Sequence, residues 1–222
     1  MMKMYAQAMS PRDALPASNG VLAGDNRPRA QWGGLSREQI VAAAIATIEN
    51  GDYGSMTIRS LAKGLGVAPM ALYRHIRDRD DLLDEVTDQL LAKSWRPTGS
   101  YETWQAWISE AAMRFRSLLV SQPAVLHVYL SHPVATPAAL ERMRAMLQML
   151  REAGLDERTA EQHYATLHTY TIGFSALEAS RSKWTSTNAI DDAMMKQLAT
   201  FTTTNQFVAG MELLLQGVQH TS

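Results

Sequence analysis

The chain has 222 residues and a formal net charge of −1, with 46% hydrophobic and 19% charged residues. This balance is ordinary for a globular protein, and the length allows one large domain or two modest ones. The chain contains no cysteine, which excludes a disulfide framework and thiolate metal sites. The N-terminal residues lack the apolar core of a signal peptide, and no apolar run approaches the roughly 20 residues that cross a bilayer. We therefore expect a soluble, cytoplasmic protein.

Residues 1–34 are rich in Pro, Gly, Ser, Asn and Ala and show no helical periodicity, which predicts a mobile arm. A first helix should follow, because Ser36 and Gln39 form an S-x-x-Q capping box. Its apolar stripe consists of Ile40, Ala43, Ala44, Thr47 and Ile48. Asn50 and Gly51 provide the stop at its C-terminal end.

Two short predicted helices joined by a glycine turn lie between Thr57 and Arg79. Thr57 is a good N-cap for the first of them, over residues 58–65. Gly66 can adopt the positive φ angle that ends such a helix, where a side chain would cost energy. The second helix is predicted over residues 69–76. This arrangement is typical of a helix-turn-helix, a unit that reads DNA.

The packing positions and the charge of this unit agree with that interpretation. Ala62 is small enough to let the second helix cross closely over the first, and Leu72 points back into the shared core. Five cations against Asp78 alone give the unit a local charge of +4: Arg59, Lys63, Arg74, Arg77 and Arg79. Concentrated positive charge suits a surface that binds phosphates. A plain helical hairpin with a solvated charged face is the alternative.

A fourth helix should begin after Asp78, which can cap it, and run toward Trp95. Its apolar stripe consists of Leu82, Leu83, Val86, Leu90 and Leu91. Beyond the break at residues 97–100, only helices are predicted, over residues 101–121, 123–131, 136–153, 156–181, 189–201 and 205–219. Thr136 and Pro137 form an N-cap and N1 pair for the third of these.

The predicted fold is therefore all-α. An N-terminal three-helix helix-turn-helix domain, residues 35–95, is joined through its fourth helix to a larger helical domain, residues 96–222. We expect the larger domain to serve ligand binding and dimerisation, for the reasons that follow.

The motif T-x-R-x-L-A-x-x-L-G-V-x-x-x-x-L-Y-x-H-I-x-x-R over residues 57–79 resembles the DNA-binding domain of the TetR family of bacterial transcriptional repressors. With the flanking helices, the resemblance covers about residues 35–91. Further on, MLREAGLDERTAEQHYATLHTYTIG and NQFVAGMELLLQGV resemble the long penultimate helix and the closing helix of ligand-sensing members. These members have tetracycline-repressor-like C-terminal domains.

The resemblance implies which residues touch DNA. Those expected on phosphates are Thr57, Arg59, Tyr73, His75 and Arg79. Those expected to face base edges are Pro69, Met70, Ala71 and Arg74. The chemistry agrees, because Tyr and His donate to phosphate oxygens and an Arg can fork onto guanine. Ala68 stands where the family often has a polar cap, so the recognition helix should lack a side-chain cap.

The N-terminal arm could also reach DNA. Arg27, Pro28 and Arg29 lie just before the first helix, from where an arm could enter a neighbouring minor groove. An inert tail is the favoured alternative.

The resemblance further implies a homodimer that blocks transcription from a palindromic operator and is released by a small-molecule effector. A two-fold symmetric protein also suits half-sites one helical turn apart. Residues 156–181 and 205–219 are candidates for an intersubunit four-helix bundle. The apolar face on the second of these consists of Phe207, Met211, Leu214, Leu215 and Val218. This face could instead fill the monomer's own core.

Candidate effector-binding residues combine apolar walls with a few polar anchors. They are Trp107, Leu126, Tyr129, Met143, Met146, Tyr164, His168, Thr171 and Phe174. For each of them, an ordinary core position is the alternative.

No cofactor and no metal are expected. His127, His163 and His168 could bind a metal, but histidines hydrogen-bonded within the protein are favoured. An all-α enzyme is disfavoured, because the chain has no E-x-x-H, G-x-S-x-G, P-loop or G-x-G-x-x-G motif. A DNA-binding architectural protein that senses no ligand stays open.

Overall fold

The computed structural model describes residues 34–50, 53–181, 197 and 200–219, and every regular element within them is helical. The all-α prediction is thus confirmed. The predicted arm with Arg27, Pro28 and Arg29 lies outside the described residues, as does most of the helix predicted over residues 189–201. None of the described helices is both long and apolar enough to span a membrane.

The helices follow one another in chain order with short connections. They are α1 Arg37–Glu49, a 3-10 turn Tyr53–Ser55, α2 Ile58–Gly64, α3 Pro69–Leu72, α4 Arg79–Ser94, α5 Trp104–Ser121, α6 Pro123–Ser131, α7 Pro137–Glu152, α8 Glu157–Arg181 and α9 Thr204–Gln219. Apart from α3, their ends lie within a few residues of the predicted ones.

Local capping explains where several helices begin. The Ser36 hydroxyl accepts from the Gln39 amide at 3.2 Å, and the Gln39 side chain accepts from the Ser36 amide at 3.0 Å, so the predicted capping box is present. Thr57 caps α2 by accepting from the Ser60 amide at 3.0 Å. Asp78 likewise caps α4 through its own side chain.

The start of α7 is capped from another helix. Thr136 occupies the N-cap position, but its side chain forms no capping hydrogen bond. The amide of Ala138 instead donates to a carboxylate oxygen of Asp88 on α4, at 2.7 Å. An acidic side chain is favourable at a helix N-terminus. Because Asp88 belongs to α4, its bond to Ala138 also ties α7 to α4.

The buried side chains form two clusters. The first joins the helix-turn-helix to the second domain through α4, whose Leu82, Leu83, Val86 and Leu91 are buried beside α1, α5 and α6. The second cluster lies among α5, α7, α8 and α9. Helix α4 therefore belongs to the core of the reading unit and also contacts the helices of the second domain.

The predicted dimer face of α9 is used inside the monomer. Phe207, Met211 and Leu215 are buried in the second cluster, because their spacing directs them onto α5 and α8. The exposed apolar side chains in this region are different ones, Leu177 on α8 and Leu213 on α9. The core alternative therefore holds for these three residues of α9, while the side chain of Val218 lies outside the described part.

Candidate nucleic-acid interface and charged interior

The turn after α2 has the geometry that a helix-turn-helix requires. Gly66 has a φ of 68°, and its amide donates to Lys63 at 3.2 Å while the Val67 amide donates to Ala62 at 3.0 Å. These two bonds form a Schellman motif, in which glycine avoids the cost of a side chain at positive φ. Ala62 is fully buried beneath the crossing. The predicted roles of Gly66 and Ala62 are confirmed.

Helix α3 is a single turn and is shorter than predicted. It ends at Leu72, and the chain continues as a turn to Ile76. The amides of His75 and Ile76 both donate to the Leu72 carbonyl, at 2.8 and 3.0 Å, so the regular hydrogen-bond ladder ends there. Leu72 and Ile76 are buried and anchor the segment. Ala68 provides no side-chain cap, as predicted.

The residues predicted to touch DNA lie largely on the surface of this unit. Met70 is 73% exposed and Tyr73 is 46% exposed, which is unusual for large apolar side chains. The others that are exposed are Thr57, Arg59, Pro69 and Arg74, and those that are half-buried are Ala71, His75 and Arg79. The structure thus offers a protruding turn with an arginine and two large side chains available to a partner.

Only some of the predicted cations of this unit have a guanidinium or ammonium group free to contact DNA phosphates. Arg59, Lys63 and Arg74 form no ion pair among the described residues. Arg77 is paired with Asp81, at 3.2 Å between Nη2 and Oδ1. Arg79 is partly engaged as well, since its Nε donates to the Met56 carbonyl at 3.3 Å and its guanidinium lies over the Tyr53 ring. Contact of Arg79 with phosphate stays a prediction.

Arg37, which sequence reasoning missed, fixes the end of the reading segment. Its guanidinium donates to the His75 carbonyl at 2.7 Å and to the Asp81 carboxylate at 3.1 Å. Asp81 also accepts from the Arg77 amide at 3.0 Å. The Arg37 guanidinium holds the pKa of Asp81 at about 2, below its ordinary value. The sequence did contain a signal for this contact. An arginine in the first turn of a helix is unfavourable beside the positive end of the helix dipole, so an acidic partner is expected near it.

Replacing Asp81 with asparagine should lower the free energy of unfolding at neutral pH by about 1–2 kcal/mol. Arg37 loses the nearer of its two carboxylate partners, since Asp81 lies at 3.1 Å and Glu85 at 3.5 Å. The folded-state pKa is depressed, so this contribution is fully present above pH 3.8 and disappears as the pH falls through about 2. Urea denaturation over a pH series measures it. Asp80→Asn is the control, since Asp80 is exposed. Equal losses in the two variants, or a difference from wild type that persists at low pH, would contradict this role.

The second domain brings three of the predicted effector-binding residues together. Tyr129 of α6 and Tyr164 and His168 of α8 meet around Phe115 of α5. The remaining residues are spread elsewhere. Leu126 is buried in the first cluster, and Trp107 packs against both clusters. Met146 and Phe174 are buried in the second cluster. Thr171 donates to the Leu167 carbonyl, and Met143 is half-buried on α7.

Arg142, which sequence reasoning also missed, lies at the centre of this aromatic group. It is 3% exposed, and its Nη2 lies 2.5 Å from His168 Nδ1 and 3.4 Å from the Tyr164 hydroxyl oxygen. The guanidinium stands 4.1 Å from the centroid of the Phe115 ring. An arginine can only donate, so Nδ1 of His168 must accept and the ring must be neutral. Burial, with Arg142 adding to it, lowers the pKa of His168 to about 3.

A second buried arginine, Arg116 of α5, is arranged differently. Its Nη2 lies 2.7 Å from the Glu178 carboxylate of α8 and 3.3 Å from the Thr204 hydroxyl of α9. The guanidinium also lies over the rings of Phe174 and Phe207. Arg116 therefore joins three helices and has an acidic partner.

An open groove of about 400 Å³ runs between α5 and α9. Its walls include Ser109, Met113, Phe207 and Met211. Within the described part of the chain, no three His, Asp or Glu side chains are grouped so that they could hold a metal ion.

Two parts of the chain match models of known protein families. Residues 40–86 match the family model of bacterial regulatory proteins of the tetR family, and residues 96–222 match the tetracyclin repressor-like C-terminal domain. The chain belongs to the TetR family. It is accordingly a transcriptional regulator, and the helix-turn-helix is the reading unit of that family.

Individual TetR-family relatives are distant in sequence. The tetracycline repressor protein class E of Escherichia coli is 28% identical over 163 residues, which cover 72% of this chain and 75% of the relative. The HTH-type transcriptional repressor DrrR1 of Streptomyces coeruleorubidus is 26% identical over 63% of this chain. The alignment spans about half of DrrR1, 52% of its length. These relatives are repressors of transcription rather than enzymes.

Solved TetR-family structures share the fold. BioQ of Mycobacterium smegmatis has a TM-score of 0.65 at 26% identity, covering 85% of this chain and 100% of BioQ. BioQ has also been solved with its natural double-stranded DNA operator. ActR of Streptomyces coelicolor in complex with actinorhodin has a TM-score of 0.70 at 19% identity, covering 86% of this chain and 98% of ActR. At that identity, ActR supports the fold alone.

Proposed function

We propose that this chain is a ligand-responsive repressor that binds a palindromic operator as a homodimer and is released by a small-molecule effector. The protruding α3 segment carries this proposal, because Met70, Tyr73 and Arg74 are exposed directly after a Schellman turn. The operator complex of BioQ supports it. A regulator of this kind works where the chromosome is, so we infer a cytoplasmic location.

The residue roles follow from placement and chemistry. Arg74 is exposed and unpaired among the described residues, so it is free to fork onto a guanine in the major groove. The Tyr73 hydroxyl and Arg59 suit phosphate contacts, which position the protein without reading sequence. Pro69, Met70 and Ala71 contribute apolar contacts to base edges, while Thr57, His75 and Arg79 complete the phosphate contacts.

Each part of the chain has its own role in this proposal. Residues 35–95 hold the reading unit, residues 96–222 hold the effector and the partner subunit, and residues 1–34 form an arm outside both. For the dimer, we propose the exposed apolar side chains of α8 and α9, Leu177 and Leu213, as part of the interface. In the proposed homodimer, the partner subunit would cover these two side chains.

Helix α4 is the natural link between effector and operator. It starts at the reading unit, where Asp81 holds Arg37, and it caps α7 of the second domain through Asp88. An effector that favours a different position of α4 would change the spacing of two reading heads. Operator and effector would then weaken each other's binding by the same factor.

Selection of bound duplexes from a random DNA pool, at near-physiological salt, tests this function. Wild-type protein should enrich a palindrome, and Arg74→Ala should relax preference at one position in each half-site. Tyr73→Phe should weaken binding to all sequences alike. Arg144→Ala, an exposed arginine of α7, is the control for lost positive charge.

Two outcomes would contradict these assignments. Failure of the effector-free protein to enrich any palindrome would refute the symmetric sequence reader. Equal losses across every base substitution for Arg74→Ala would reduce this arginine to a phosphate contact.

A further inference from the structure

The two buried arginines of the second domain differ in one respect that points to a ligand. Arg116 has the Glu178 carboxylate at 2.7 Å. Arg142 is equally buried, yet its hydrogen-bond partners among the described residues are all neutral groups, those of His168, Tyr164 and Tyr129. The Nε of each arginine is buried without a hydrogen-bond partner in that part of the chain, so the missing carboxylate is what distinguishes Arg142. A buried charge without a counter-ion is costly, so the arrangement needs a reason.

The groups around Arg142 offer donors and lack a charged acceptor. The Tyr129 hydroxyl is buried beside the Arg142 guanidinium, and burial raises its pKa to about 12, so it keeps its proton. Among the described residues it has no acceptor for that proton. His168 accepts at Nδ1, so its proton lies on Nε2. Asp88 is the acidic residue whose charge reaches Tyr129, but one of its oxygens already caps α7 at Ala138.

The aromatic rings define a planar slot beside the guanidinium. The His168 ring lies nearly parallel to the Phe115 ring, with centroids 5.7 Å apart and an interplanar angle of 13°. It also lies nearly parallel to the Tyr164 ring, with centroids 5.4 Å apart and an angle of 12°. Tyr129 closes the slot with its edge, 5.9 Å from His168. The imidazole thus occupies a space that suits a flat ring, with its acceptor nitrogen on Arg142.

We propose that the effector is a planar aromatic acid, whose ring takes the place of His168 between Phe115 and Tyr164 and whose carboxylate pairs with Arg142. This inference rests on the proposed function, because it names the chemical class of the effector. A carboxylate can accept from Nε and a terminal nitrogen of the guanidinium together, which a single imidazole nitrogen cannot do. The Tyr129 hydroxyl then has an acceptor.

The position of Arg142 also connects this site to the reading unit. Arg142 lies one helical turn after Ala138, whose amide donates to Asp88 of α4. Displacing His168 from Arg142 changes the packing of α7 against α8. The Ala138–Asp88 bond transmits that change to α4.

The test compares matched acids and amides on the full-length protein. Benzoate, salicylate, 2-naphthoate and indole-3-acetate are each paired with the neutral amide of the same shape. Titration calorimetry and the thermal unfolding midpoint measure binding to wild type, Arg142→Met and Arg144→Met. The last variant removes an exposed arginine from the same helix.

At least one acid should bind wild type about tenfold or more tightly than its amide, the usual margin of a charge-assisted pair. Arg142→Met should abolish this preference, and Arg144→Met should keep it. Absence of any acid preference in wild type, or its survival in Arg142→Met, overturns the proposal.

A second variant keeps the test decisive if Arg142→Met fails to fold. His168→Ala empties the slot, so the acid no longer competes with the imidazole and should bind more tightly than to wild type. Unchanged or weaker acid binding in this variant overturns the proposal.

Operator binding, measured in parallel, separates this inference from the proposed function. Protein that binds its selected operator but prefers no acid refutes the effector class alone. If the protein binds an acid through Arg142 but binds no operator, the repressor function is refuted while the acid-binding site stands.

Discussion

Replacing Arg116 with methionine is expected to lower the free energy of unfolding by about 2–4 kcal/mol. Arg116 is 6% exposed and holds the Glu178 carboxylate, so the substitution leaves a largely buried charge without its partner. The Thr204 hydroxyl on α9 loses its donor as well. Urea denaturation, followed by circular dichroism, measures the loss. The value lies toward the lower end for broken buried pairs because Glu178 keeps some contact with solvent.

Two further variants show whether the orphaned carboxylate causes the loss. Adding Glu178→Gln to Arg116→Met should recover part of the stability, since the uncompensated charge is removed. Arg142→Met should be neutral or stabilising, because it leaves no carboxylate without a partner among the described residues. If Arg142→Met destabilises as much as Arg116→Met, the distinction between the two arginines is wrong.

Replacing Leu72 with alanine is expected to cost about 2–5 kcal/mol of stability and most of the operator affinity. Leu72 is fully buried and its carbonyl receives the last bonds of the reading segment. The cavity left behind would loosen α3 against α2 and α4, so the exposed side chains would lose their fixed positions. Chemical denaturation and operator titration on the same samples measure both effects.

Met70→Ala is the matched control on the same helical turn. Met70 is 73% exposed, so its truncation should leave stability within about 0.5 kcal/mol of wild type while changing operator binding. Equal destabilisation by the two variants would mean that α3 does not anchor the unit through Leu72.

Much of the reading unit could be predicted because its signals are local. Thr57, Gly66 and Asp78 act on residues within a few positions of themselves, through caps and a positive φ angle. The small Ala62 belongs to the same short motif. Caps and glycine turns begin and end a helix through residues near its ends, whatever the helix packs against. For this reason the order of the first four helices could be predicted from the sequence.

Other features became visible only in three dimensions. The spacing of Phe207 and Met211 showed an apolar face but not what covers it, and the tertiary structure places this face against α5 and α8. The end of α3 at Leu72 was also missed, because it depends on how the turn to Ile76 fits between buried anchors rather than on helix propensity.

The sequence by itself determined most of the helices, the caps at Ser36, Thr57 and Asp78, and the helix-turn-helix, because each depends on residues a few positions apart. The tertiary structure decided which charges meet. Arg37 meets Asp81 across 44 positions, and Arg142 meets His168 across 26. In α7, Arg142 has the spacing of the buried residues Ala138 and Met146, so the helix places it in the core, but its partner His168 belongs to α8. Helix packing alone determines whether a buried arginine finds a carboxylate, as Arg116 does, or a neutral ring, as Arg142 does.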